Sequence, residues 1–260
     1  MRIFFFLLLV PFFMSAGAQE DSTSLEEVVV TAQRIEQKSL WTPYAIKKIS
    51  GKSFKEISPR TTPEALQGMN GVFVQKTNHG GGSAFIRGLT GNQTLILIDG
   101  IRLNNSTFRY GPNQYLNTID PYIIERIEVA KGMGSVQYGT DALGGVIHVM
   151  SKEPFFSTNK STWYGKAIAK YMSGDMEKTA RGELNYASKK IAFTGGVTYR
   201  DFGDLIGGDT SGKQTPSGYK ERAFNAKAKF LFHEKVQLTL SHQNVMQQNV
   251  PVYHKIVLEN

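Results

Sequence analysis

The sequence contains no cysteine, which excludes a disulfide scaffold, thiol catalysis and any Cys-ligated zinc or iron–sulfur site. Proline is scarce, at 9 residues against 26 glycines in a chain of 260, so tight turns are set mostly by glycine. Long apolar runs are also missing. The one uninterrupted run, Ile3 to Met14, has twelve residues and contains Pro11. A membrane-spanning helix needs about 20 apolar residues, so a retained anchor is disfavoured. With Met1-Arg2 before it and Ala16-Gly17-Ala18 after it, the run reads as a cleaved secretory signal, and the mature chain is expected to start at Gln19. No cysteine follows to carry a lipid, and no later stretch is apolar enough to cross as a helix. Any membrane crossing must therefore be made by strands.

Catalytic patterns are missing as well. His79, His148, His233, His242 and His254 do not form the His pair at i, i+4 with an intervening Glu that a zinc protease helix requires. Gly132-Met133-Gly134 follows a strand pattern but meets Gln137 where a dinucleotide fingerprint needs its third glycine. There is no G-x-S-x-G elbow and no P-loop. No catalytic residue, metal site or cofactor is assigned, and an enzyme is not expected. The net charge of +8 comes from 30 basic residues spread along the chain. Lys47-Lys48, Lys189-Lys190, Lys227, Lys229 and Lys235 could serve a nucleic acid, but a secretory signal makes nucleic acid an unsuitable partner. A secreted, basic, β-rich binding protein is the alternative from another class.

Glu27-Val28-Val29-Val30-Thr31-Ala32 is rich in β-branched residues and favours an extended strand. It could open a core, or it could add to the sheet edge of another protein. From Tyr44 to Lys152 short strands alternate with short helices and glycine turns. Strands are expected at Tyr44 to Ile49, Gly71 to Val74, Ser83 to Arg87, Thr94 to Ile98, Arg126 to Val129 and Val146 to Met150. Thr61-Thr62-Pro63-Glu64 predicts a helix from Pro63 to Met69. The polar, glycine-rich stretches at Asn78 to Gly82 and Asn104 to Gln114 read as surface loops that carry function.

Four segments in this region carry a specific resemblance: Ser83-Ala84-Phe85-Ile86-Arg87-Gly88-Leu89, Leu95 to Gly100, Ile124 to Val129, and Tyr138 to Ile147. In order and spacing they resemble the plug domain of TonB-dependent outer-membrane receptors. That resemblance implies that Glu27, Val28, Val29, Val30, Thr31 and Ala32 are the TonB box, whose periplasmic partner is TonB. It implies energised uptake of a scarce nutrient across the outer membrane of a Gram-negative bacterium. The ligand would be a ferric siderophore or haem, with cobalamin as the alternative. Arg87 and Glu128 lie in motifs that resemble plug positions meeting the barrel wall, so an enclosed, paired lock is expected there rather than solvated charge.

Residues 162 to 247 divide into five alternating segments. Trp163, Gly165, Ala167, Ala169 and Tyr171 oppose Lys166 and Lys170; Ala180, Gly182, Leu184 and Tyr186 oppose Thr179, Arg181, Glu183 and Asn185. Ile191, Phe193, Gly195, Val197 and Tyr199 oppose Thr194, Thr198 and Arg200; Phe224, Ala226, Ala228, Phe230 and Phe232 oppose Asn225, Lys227 and Lys229. Val236, Leu238 and Leu240 oppose Gln237, Thr239 and Ser241; Ile168 and Leu231 break the pattern. A soluble sandwich also alternates. Aromatic residues at strand ends and short turns at Ser188 to Lys190 and His233 to Lys235, against a long loop from Gly203 to Gly218, favour lipid-facing strands.

Five strands are fewer than the roughly eight a closed barrel needs, so the chain is expected to be the N-terminal part of a longer receptor, by natural truncation or as an incomplete sequence. The expected fold is thus an α+β plug with a small mixed sheet, followed by antiparallel transmembrane strands of an incomplete outer-membrane barrel. Its divisions are a signal peptide at 1–18, a periplasmic segment with the TonB box at 19–42, the plug at 43–155 and the first barrel strands at 156–260. Outer-membrane lipid is then a partner. His79, Phe108, Arg109, Tyr110 and Tyr115 combine aromatic faces with polar donors and are expected to bind the ligand. His79 and Tyr110 are residue types that can ligate haem iron, but apolar and hydrogen-bond contact is the reading taken.

Overall fold

The computed structural model describes residues 29–30, 37–38, 45–76, 78–103, 111–132, 138–174, 176–208, 210–253 and 255–256. The signal segment, Glu27, Val28, Thr31, Ala32, Phe108, Arg109 and Tyr110 lie outside the described residues. Val29–Val30 (β1) pairs antiparallel with Gln37–Lys38 (β2).

The α+β unit begins with Ala45–Ser50 (β3) and Gly51–Ile57 (α1). Ser50 caps α1 by accepting from Ser53 N, and Ser58 ends it in the left-handed conformation. This short helix has no acidic residue in its first turn to mark it in the sequence. The helix expected from Pro63 to Met69 is instead a 3-10 turn at Thr62–Leu66, because Gln67 is already extended and Gly68, at φ 79°, turns the chain toward Val72–Gln75 (β4). Ser83–Ile86 (β5) pairs with β4. Then follow Thr94–Ile98 (β6), Ile101–Arg102 (β7), Ile124–Lys131 (β8) and Gly145–Ser151 (β9).

The sheet order is β3-β8-β9-β6-β7, with β6 and β9 parallel and the other pairs antiparallel. Both faces are covered. Ile96, Ile127, Val129, Ile147 and Val149 pack into one apolar cluster with Leu66, Leu116 and Ile119, while Leu95, Leu97, Ala130 and Val146 pack into another with Tyr138 and Ala142. Coverage on two faces explains why β6 reads as an unbroken apolar run rather than as an alternation.

The remaining strands form one antiparallel meander: Thr162–Met172 (β10), Glu177–Ala187 (β11), Ile191–Phe202 (β12), Tyr219–His233 (β15) and Val236–Gln248 (β16). The long loop between β12 and β15 carries the small hairpin of Leu205–Ile206 (β13) and Lys213–Gln214 (β14). Alternation sorts the side chains as the sequence pattern requires. Trp163, Tyr171, Leu184, Val197, Phe224 and Leu240 are exposed on the outer face, whereas Thr179, Arg181, Asn185, Thr198, Arg200 and Lys227 are buried on the inner face against the α+β unit. Trp163 and Tyr186 pair at 4.6 Å near one end of the outer face. The pattern break at Leu231 coincides with a register shift between Leu231 and His233.

Leu184, half exposed at the middle of the outer face, tests its surroundings. Leu184→Arg in the intact protein should cost about 2–4 kcal/mol of folding stability in lipid vesicles, the penalty for a cation near the bilayer midplane. A loss below about 0.5 kcal/mol, typical of an exposed surface substitution, would show that this face meets water.

Candidate functional site

The inner face of the meander and the α+β unit meet through charge. Asp120-Pro121 begins a 3-10 turn, Pro121–Ile123, in which the Asp120 carboxylate accepts from Tyr122 N at 3.1 Å. The same carboxylate reaches the meander. Arg200 Nη2 donates to Oδ1, and Oδ2 accepts from Thr198 Oγ1 at 2.7 Å and from Arg181 Nη1 at 3.3 Å. The side chains of Arg181 and Arg200 are 1% exposed and that of Asp120 is 4% exposed, so these charges must be paired to be tolerated. Each arginine is held further by the wall: Arg181 by Glu183 at 3.1 Å and Asn225 at 3.0 Å, Arg200 by Glu221 at 3.0 Å. Both guanidinium groups lie over the Tyr122 ring, at 5.9 and 5.3 Å. Arg200 Nη1 also donates to the Arg60 carbonyl at 3.1 Å.

A second contact lies nearer the short turns. Asp99 stands in the left-handed conformation, φ 48°, with Gly100 at φ 82°, the turn that joins β6 to β7. Its carboxylate accepts from Ser151 N and Ser151 Oγ at 2.7 Å each, and from Lys227 Nζ at 2.8 Å. Burial opposes its ionisation, but these donors outweigh it and hold the carboxyl below the usual range. Lys227 also contacts Glu153 at 2.5 Å, and Lys229 pairs with the same carboxylate. At both levels the α+β unit supplies the anion and the wall the cation.

These contacts are made by residues other than Arg87 and Glu128, where sequence places the expected lock. Arg87 lies in a turn at φ 51° and is exposed with respect to the described part of the wall. Glu128 is fully buried, but it lies inside the five-stranded sheet, in register with Lys48 and His148, and accepts from Arg126 Nε at 3.0 Å. The charged inner-face positions follow from the alternation; the carboxylates that meet them carry no such periodic signal.

The loop expected to be open at the surface is clamped. His79 is 1% exposed and meets Phe202 and Tyr219 of the wall edge-on, at 5.2 and 5.6 Å. A Cβ added to Gly80 would come within 2.9 Å of Val250 and 3.1 Å of Tyr219. The loop glycines therefore permit close approach rather than mobility. Arg60 Nη1 lies 3.3 Å from His79 Nε2, a contact that only a neutral imidazole protonated on Nδ1 can accept. Burial, with Arg60 and Lys76 nearby, lowers the His79 pKa to about 4.

Beneath His79, Glu64 takes Lys76 at 2.5 Å and Arg60 at 2.7 Å; burial pushes its carboxyl up, but these two cations bring it to about 2. Arg60, Lys76, Asn78 and His79 face Leu205, Gln214, Ser217, Pro251 and Tyr253 across a cavity of about 400 Å³. Asp204 fixes the loop on the far side, accepting from Ser217 N, Thr215 Oγ1 and Gly218 N, which hold its carboxyl at about 2. Tyr115 is half-buried and packs on the larger apolar cluster.

Residues 38–146 match the model of the TonB-dependent receptor plug domain. The vitamin B12 transporter BtuB of Vibrio vulnificus (strain CMCP6) is 34% identical over 182 residues, 69% of this chain and 28% of that protein. The rhizobactin receptor of Rhizobium meliloti (strain 1021) is 28% identical over 245 residues, 84% of this chain and 31% of that protein. The solved structure of Pseudomonas aeruginosa FpvA bound to heterologous pyoverdines superposes over 84% of this chain and 27% of that one, with a TM-score of 0.64 at 16% identity. The chain thus spans about a third or less of the length of these relatives.

Two outcomes follow for the intact protein. Asp120→Asn leaves Arg181 and Arg200 short of charge and should weaken docking of the α+β unit by about 3–5 kcal/mol, read as a lower urea midpoint for release of that unit. His79 is neutral when folded and has an ordinary pKa of 6.5, so its contribution is complete above that pH and declines as pH falls toward about 4. The decline amounts to roughly 3 kcal/mol. His148 titrates in the same direction, so His79→Gln should flatten this part of the curve without abolishing it. An unchanged urea-midpoint profile between pH 4 and 6.5 would contradict the buried neutral imidazole.

Proposed function

Because the chain belongs to the TonB-dependent receptor family and carries its plug with the first strands of its barrel, we propose that it is the N-terminal part of an outer-membrane receptor for energised uptake of a scarce nutrient. The observation that carries this reading is a plug-family domain docked by buried ion pairs on the polar face of strands whose other face is apolar. The proposed divisions are a signal peptide at 1–18, a segment with the TonB box at 19–42, the plug at 43–155 and barrel strands from 156 onward.

The ligand proposed is a ferric siderophore or haem, captured by Phe108, Arg109, Tyr110 and Tyr115 together with His79, which lines the cavity described above. Arg60 and Lys76 at that cavity favour an anionic chelate. Cobalamin is the second reading, supported by the similarity to the vitamin B12 transporter. Titration of the full-length receptor with a ferric siderophore, haem and cobalamin separates the three. Ala substitution of Phe108, Arg109 and Tyr110 should weaken the true ligand at least about tenfold, the equivalent of 1.4 kcal/mol. Unchanged affinity would move the site to the barrel loops.

Glu27 to Ala32 would join a strand edge of TonB, with backbone hydrogen bonds giving the affinity. In the structure Val29–Val30 pairs with Gln37–Lys38, so one edge of these two residues is already in use. Val29→Pro removes a backbone donor and fixes φ. Uptake by that variant should fail while ligand binding persists; normal uptake would refute the box assignment.

A further inference from the structure

The outer face of the meander carries charge at one end only. The register sets Lys178 beside Asp201, Asp201 beside Lys220, and Arg222 beside Tyr199, across β11, β12 and β15. Lys178, Lys220 and Arg222 are exposed. They point outward because their chain neighbours point in: Glu177 and Thr179 are 1% and 5% exposed, Tyr219 and Glu221 are 4% and 3% exposed. Nearer the short turns, the outward positions of these strands are Ala180, Gly182, Leu184 and Tyr186, then Tyr199 to Ile191, and Phe224 to Phe230, none of them charged. The cations therefore border an apolar band and do not interrupt it.

Their end of the band is the one that carries the long loop between Phe202 and Tyr219, together with the shorter connection from Met172 to Glu177; the tightest turns, after Ala187 and after His233, lie at the other end. In outer-membrane barrels long loops are external and short turns periplasmic. The basic row thus stands at the level of the outer-leaflet headgroups, and that leaflet is built from a phosphorylated glycolipid. Strand spacing puts Lys178 about 10 Å from Lys220, and Arg222 about 7 Å further along its own strand. Asp201 sits between the lysines and leaves an excess of positive charge across the row. Arg and Lys on a rigid sheet suit phosphate oxygens.

We propose that Lys178, Lys220 and Arg222 form a binding site for the phosphate groups of an outer-leaflet glycolipid. The site lies on the lipid side of the wall, opposite the ligand cavity, and belongs to neither plug docking nor nutrient capture.

The test uses the full-length receptor in detergent, with diphosphorylated lipid A, the same lipid enzymatically dephosphorylated, and inorganic phosphate as probes. Wild-type receptor should bind the phosphorylated lipid at least about tenfold tighter than the dephosphorylated one, and the variant Lys178→Gln/Lys220→Gln/Arg222→Gln should bind it about a hundredfold more weakly than wild type does. Lys189→Gln/Lys190→Gln, in a turn at the opposite end, should leave binding unchanged. Equal affinity for the two lipids, or unchanged binding by the triple variant, overturns the proposal. Inorganic phosphate displacing the lipid at equal concentration also overturns it, in favour of a free-phosphate site. Where the triple variant lacks the heat-modifiable mobility of a folded barrel, Lys220→Gln alone is read, with a loss of about fivefold expected and no loss contradicting the site.

Discussion

One carboxylate organises the contact between the two parts of this structure. Asp120 is enclosed with Arg181 and Arg200, and neither the anion nor the cations could stay at that depth alone. Its position follows from local chemistry: Pro121 starts a 3-10 turn, Asp120 caps it, and the carboxylate is thereby aimed along the plug surface toward the wall. The cations follow from alternation, because Arg181, Thr198 and Arg200 occupy inner positions on neighbouring strands, with Arg181 directly opposite Thr198. Tyr122, two residues beyond Asp120, places its ring under both guanidinium groups.

A polar interface of this kind fixes how the docked part sits against the wall. An apolar contact of the same extent would be non-directional and as favourable for a misplaced plug. Ion pairs give register and hold only while geometry is intact. The second node, Asp99 and Glu153 against Lys227 and Lys229, repeats the same polarity nearer the short turns, with plug anions on wall cations. Lys152 against Glu183, at 3.6 Å and on a partly exposed lysine, reverses this polarity between the two nodes.

Much of this was legible in the sequence. The faces of all five wall strands follow from period-two alternation, because one face is apolar and the other is not. Strand β6 was legible as well, since its apolar run is bounded by Asp99-Gly100. Two things were not. A glycine-rich loop looks the same in sequence whether its glycines give freedom or let a neighbour approach; at His79 to Gly82 the second holds, and the imidazole expected at the surface is buried between Phe202 and Tyr219. Likewise, alternation says that Arg181 and Arg200 face inward but not what they meet. Asp120 stands in a turn before a strand, where an N-cap role alone would account for it, and only the three-dimensional placement of that turn adds the second role.

The central claim is that Asp120 and Arg200 are energetically coupled across the plug–wall boundary. A double-mutant cycle in the full-length receptor, with Asp120→Asn, Arg200→Gln and the pair, read from the free energy of urea-induced plug release, measures that coupling directly. The account predicts a coupling of about 1.5–3 kcal/mol, with the double variant less destabilised than the sum of the single ones. Strict additivity, with a coupling below about 0.5 kcal/mol, would contradict it.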